Sequence, residues 1–175
     1  MTLTVNELRT VAVLAVALVA VVYDVRTRRI PNVWTLGTAM CALAFAVVTG
    51  GPAAMAQAAG GWAVGALLFF PFFALGGMGA GDVKLLAALG AWLGPADSVW
   101  LALFASIAGG VFGVIVALAH GYLRTALANL WLMGTHWRVS GLRPVPGITL
   151  SQTAGPRLAY AIPIAIGVLC TLWRR

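Results

Sequence analysis

The stretch "FFALGGMGAGDVKLLAALGAWLGP", residues 72–95, decides how this chain is read. It runs from an aromatic apolar end through a glycine-rich turn to Asp82, and then through about eleven mostly apolar residues to a Gly94-Pro95 break. Eleven residues of helix span roughly 16 Å, against about 30 Å of hydrocarbon in a bilayer. Either the helix continues through Pro95, or Asp82 sits well below the membrane surface. In the second case "GGMGAG" is irregular backbone at depth, which is tolerated only where protein buries it or where it lines a wet cavity. Glycines suit that position, because without a Cβ they allow positive φ and close approach of another segment.

Composition puts the stretch in a membrane. Of 175 residues, 62% are hydrophobic and 9% charged, far from the roughly 25% charged content of soluble domains. The fold class expected is an all-α, polytopic integral membrane bundle forming a single domain over residues 1–175, with no linker, repeat or low-complexity tail. The net charge of +7 would point to nucleic acid in a soluble protein. Here the arginines sit in loops beside apolar segments, where they fix orientation and meet anionic lipid, so lipid is the expected contact and nucleic acid is not. Cys41 and Cys170 lie inside apolar segments and no CxxC pair exists, so neither a zinc site nor a disulfide is expected. The first apolar run, "VAVLAVALVAVVYD", precedes its positive cluster of Arg26, Arg28 and Arg29, the inverse of a secretory signal, and is read as retained.

Measured against the roughly 20 apolar residues a spanning helix needs, six segments qualify as candidates: residues 5–23, 33–49, 57–75, 83–93, 98–119 and 157–173. The loops after the first, third and fifth hold Arg26, Arg28, Arg29, Lys84, Arg124, Arg138, Arg143 and Arg157, and the opposite side holds Arg9, Arg174 and Arg175. The first group is expected to face the cytoplasm. Between residues 120 and 155, "YLRTALANLWLMGTHW" mixes apolar, aromatic and basic residues as an interfacial helix does. The following "RPVPGITL" cannot continue a helix, since Pro144 and Pro146 lack amide donors.

Only four acidic residues occur: Glu7, Asp24, Asp82 and Asp97. Glu7 lies at the outer end of the first segment, and Asp97 reads as an N-terminal helix cap. Asp24 and Asp82 each adjoin the cytoplasmic end of an apolar segment, so the topology allows them to meet. Two readings are open for each. Asp82 caps the fourth helix or enters a site, and Asp24 pairs with Arg26 or Arg28 or enters the same site. Two carboxylates held close share one proton, so that one activates water while the other protonates a leaving group, which is the chemistry of aspartyl proteolysis. There is no HExxH, no GxSxG elbow, and no nucleophile beside His120 or His136, which read as helix-end and interfacial residues.

These residues resemble a known family. "GMGAGDVKLLAALGAWLG" resembles the GxGD motif of the type IV prepilin peptidases, carried by Gly79, Gly81 and Asp82 and followed by Lys84. "YDVRTRRIPN" resembles the family's other signature, an aspartate shortly before Ile-Pro-Asn, here Asp24 with Ile30, Pro31 and Asn32. "LAYAIPIAIG" is similar to its proline-containing last helix, with Pro163 in place. The resemblance implies an Asp24/Asp82 dyad, no cofactor or metal, and a bacterial cytoplasmic membrane enzyme with its site facing the cytoplasm. Its substrates would be prepilin or pseudopilin precursors, cut at their leader peptides. Longer members carry an N-terminal domain with paired cysteines and also N-methylate the product. Lacking these, the chain is similar to the short, peptidase-only branch of Flp-type (tight-adherence) pilus systems, with no methyltransferase activity expected.

The basic loops would repel a basic leader, so Arg26, Arg28 and Arg29 are assigned to lipid and orientation, and recognition mainly to the substrate's apolar helix and a groove near the dyad. Two other classes compete: a small proton-coupled transporter, which would place acids near the midplane and ideally show inverted repeats, and an inactive assembly partner. Oligomeric state is not legible.

Overall fold

A computed structural model describes residues 4–141, 143, 145 and 158–175. Among these the chain forms six helices: α1 Val5–Thr27, α2 Asn32–Ala74, α3 Ala80–Leu93, α4 Pro95–Ala119, α5 Leu123–Ser140 and α6 Ala161–Trp173. The all-α bundle is as expected. Three helices, α1, α2 and α4, are long and apolar enough to cross a bilayer. The chain is a multi-pass membrane protein.

α1 opens on a capping box. The Thr4 hydroxyl accepts from the Glu7 amide at 3.3 Å, and the Glu7 carboxylate accepts from the Thr4 amide at 2.7 Å. The helix ends four residues later than the expected 23, closing on Arg28 in the left-handed region with φ 53°. Asp24 therefore lies in the last turn of α1 and does not follow the helix.

α2 is a hairpin of two helical arms. Gly51, with φ 63° and ψ −155°, breaks the helical path, and Pro52 starts the second arm. The expected spans 33–49 and 57–75 are these two arms, with almost no loop between them. Contacts with α3 show the reversal. Along the first arm, Asn32 meets Lys84 and Phe45 meets Trp92. Along the second arm, Gly61 lies against Gly90 and Gly94, and Gly65 against Leu86. The first arm runs parallel to α3 and the second antiparallel to it.

α3 stops where the sequence breaks, at Gly94 with φ 88° and Pro95 as the first residue of α4. At 14 residues it is about 21 Å long. It begins three residues before the expected 83, so Asp82 sits in its first turn and only the turn before Ala80 is irregular. Residues Leu85 to Ala91 are all buried, and α1, both arms of α2, α4 and α6 surround them. Burial this tight needs backbone contact. A Cβ at Gly61 would lie 2.1 Å from the Gly90 carbonyl oxygen, and one at Gly90 would lie 2.3 Å from that of Gly61. Small residues that let helix backbones touch are the usual source of helix association in lipid, where van der Waals packing replaces the hydrophobic effect.

Asp97 is not the cap expected of it. Gly94 caps α4 without a side-chain bond, and Asp97 pairs with Arg174 at 2.6 Å and Arg175 at 2.5 Å. Arg174 also stacks over Trp100 at 4.7 Å. These pairs give the two terminal arginines a local partner at the end of the bundle away from Asp82. α5 occupies the position expected of an interfacial helix, with Leu127, Leu130, Trp131 and Leu132 exposed, and it touches α4 only lightly. The early part of the expected span 157–173 (Arg157), as well as Pro144 and Pro146, lies outside the described residues. Within them α6 begins at Ala161.

Replacing Gly90 by Val is expected to destabilise the bundle by about 1–3 kcal/mol or more, because backbone on the facing arm cannot move aside. Gly110→Ala, at a position with nothing within 4 Å, is expected to be neutral or to stabilise by up to about 1 kcal/mol. Thermal unfolding of the two variants in micelles checks the contrast.

Candidate active site

The end of α1, the link to α2 and the turn before α3 close around a cavity of about 570 Å³. Asp24, Arg28 and Arg29 line it from α1 and its C-terminal link. Ile30 lines it from the same link, Asn32 from the start of α2, Met78 to Asp82 from the turn into α3, and Leu158 and Tyr160 from the approach to α6. Both aspartates thus border one space.

The two carboxylates are held differently. Asp24 is 7% exposed, and its Oδ2 accepts a hydrogen bond from the Ala161 amide at 3.0 Å. Ala161 is the first residue of α6, so this carboxylate satisfies one of the amides a helix leaves unpaired at its N-terminus. Asp82 is part-exposed to the cavity. As the third residue of α3 it turns back to the backbone of Gly79, the N-cap residue. A Cβ at Gly79 would stand 3.1 Å from Asp82 Oδ2. The Asp82 carboxylate thus lies beside the start of α3 and also borders the cavity.

The two sequence signatures touch at several points. A Cβ at Gly81 would meet the Ile30 side chain at 3.5 Å, an ordinary contact. Lys84 Nζ donates to Asn32 Oδ1 at 2.9 Å. Lys84 and Pro31 do not line the cavity. Lys84 is exposed on the outside of this contact, and Pro31 caps α2. Arg28 and Arg29 were assigned to lipid and orientation, yet both stand in the cavity wall; Arg26 does not.

Sequence reasoning also missed Tyr160, although it lies in the quoted "LAYAIPIAIG". Its ring packs edge-on to Phe69 at 6.0 Å and its hydroxyl lies 3.5 Å from the Ala105 carbonyl. It seats over Gly109, where a Cβ would fall 2.5 Å from the hydroxyl oxygen. A polar aromatic before an apolar helix gives no signal in sequence that it faces a site. Among the described residues, no group of three or more His, Cys, Asp or Glu converges as metal ligands would.

The chain is 34% identical over 103 residues to a "Type 4 prepilin-like proteins leader peptide-processing enzyme" of Escherichia coli O78:H11 (strain H10407 / ETEC). That alignment takes in 55% of this chain and 38% of the relative, so the match spans well under half of the relative's length. No solved structure matches the chain. The model of the type IV leader peptidase family matches residues 11–114, a stretch that holds both aspartates and more than half of the chain. The chain belongs to the type IV leader peptidase family.

Proposed function

We propose that this protein is a membrane-embedded aspartic endopeptidase that removes the leader peptide of Flp-type prepilins or pseudopilins at the cytoplasmic face of a bacterial inner membrane. The observation that carries the reading is that Asp24 and Asp82, from distant parts of the chain, border one open cavity. Close carboxylates hold one proton between them. The ionised one takes a proton from water as the water oxygen attacks the scissile carbonyl, and the protonated one hydrogen-bonds the carbonyl oxygen. Proton transfer to the leaving amine then completes the cut. No metal takes part in this scheme, and within these 175 residues it works as a single peptidase unit without N-methylation.

The substrate is a short leader joined to an apolar helix, which would lie against the bundle's exposed apolar surface with the scissile bond at the cavity mouth. Arg28 and Arg29 border that space, so they face the peptide as well as lipid, and repel a basic leader from that wall. The cytoplasmic orientation rests on the loop charges.

Asp24→Asn and Asp82→Asn are each expected to lower precursor cleavage by about 10²–10⁴-fold, while the variant proteins insert and accumulate as wild type. Normal processing by either one in a cleavage assay would refute the assignment. The Lys84–Asn32 contact holds the two aspartate-bearing segments together, so Lys84→Ala and Asn32→Ala are each expected to slow cleavage by about 2–10-fold through kcat. The double variant should be no slower than the worse single one, and an additive double-mutant cycle would exclude the coupling. For the orientation, a cysteine at Met78 in a Cys41→Ser, Cys170→Ser background is expected to react with a charged maleimide in inverted vesicles and to resist it in intact spheroplasts. A cysteine at Ala88, fully buried, should react in neither. The reverse sidedness at Met78 would place the site on the other face.

A further inference from the structure

A second cavity, of about 250 Å³, lies at the opposite end of α3 from the aspartates. Its wall is made from α1, both arms of α2 and the end of α3. Ala42, Ala46 and Ala58 are almost fully buried, and their small side chains leave the hollow open. Arg9 and Gln57 supply its polar groups.

Arg9 carries a full charge with no acid to meet it. The chain has four acidic residues. Glu7 is committed to the Thr4 capping box, and two positions along a helix it faces away from Arg9. Asp97 is held by Arg174 and Arg175. Asp24 and Asp82 border the other cavity. Among the described residues Arg9 makes no ion pair, and its guanidinium instead stands over the Phe45 ring, 5.8 Å from the centroid. Phe45 in turn packs on Trp92 at 5.4 Å. The Trp92 indole N–H is sealed from solvent and has no acceptor among the described residues. The cavity wall therefore carries the Arg9 charge and the Gln57 amide, and no carboxylate. That chemistry selects an anion.

We propose that this cavity binds a phosphate group, Arg9 supplying the charge and Gln57 an amide donor. Its position indicates the source. Val5, Leu8, Val48 and Met55, close in sequence to residues of the wall, are exposed and apolar. Such a surface takes acyl chains, and headgroup phosphate is the anion most concentrated where a membrane helix meets water. Bound phosphate would join α1, both arms of α2 and α3 at the end remote from the cut.

The test is native mass spectrometry of delipidated protein in detergent, titrated with phosphatidylglycerol or with inorganic phosphate, and it does not depend on the peptidase reading. Arg9→Gln is expected to weaken retention about fivefold, the worth of one arginine beside an anionic surface. Arg9→Lys should keep most of it, and Ala58→Leu should weaken it by filling the hollow. An unchanged thermal midpoint for lipid-free Arg9→Gln shows that the fold survives. Phosphatidylglycerol adducts that persist in millimolar inorganic phosphate identify a lipid headgroup. Displacement of those adducts, with inorganic phosphate raising the wild-type midpoint and not that of Arg9→Gln, identifies free phosphate. Equal retention of both probes by wild type, Arg9→Gln and Ala58→Leu overturns the proposal.

Discussion

Backbone contact between Gly61 and Gly90 sets the geometry on which the rest of this bundle depends. α3 is short and its middle is buried on every side, so it cannot be held by side chains reaching across gaps. The second arm of α2 lies directly on it, and Ser98, itself fully buried, places its hydroxyl 2.7 Å from the Gly94 carbonyl and 3.1 Å from that of Gly61. That hydroxyl meets an acceptor at the helix break, where regular hydrogen bonding stops and an unpaired group in apolar surroundings would be costly. With α3 fixed at this end, its other end has a defined place, and the first turn carries Asp82 to the cavity.

The broad architecture was readable because it rests on local properties. Apolar runs, the Gly94-Pro95 break and the Gly51-Pro52 corner mark helices and their ends by backbone chemistry alone. What could not be read depends on partners far along the chain. Asp97 looked like a cap because its local setting favours one, but Arg174 and Arg175, almost eighty residues later, hold it. The end of α1 at Thr27 rests on Arg28 in a left-handed conformation and on the Thr27 hydroxyl bonding the Tyr23 and Arg29 carbonyls. Arginine at such a position carries no signal in a sequence.

The aspartates were legible for a different reason. Acidic residues are so scarce here that each one needs an explanation, and two remained after local roles were assigned. Their surroundings were not legible. That Asp24 takes its hydrogen bond from α6, or that Tyr160 shares its cavity, follows from packing between elements more than a hundred residues apart.

The GxGD signature can be understood from contacts alone. Gly79 leaves room for the Asp82 carboxylate to turn back on the helix start, where a Cβ would press it at 3.1 Å. At Gly81 the same turn meets Ile30, from the other signature, where even a Cβ would make only an ordinary contact at 3.5 Å. Lys84 then reaches Asn32 across the outside of that contact. The two signatures are therefore one packing unit drawn from two places in the chain. A second helix start supports the other carboxylate, since the first amide of α6 holds Asp24. Each carboxylate thus meets the N-terminal end of a helix, Asp82 that of its own α3 and Asp24, from the last turn of α1, that of α6, where partial positive charge tempers the repulsion of two carboxylates brought into one cavity.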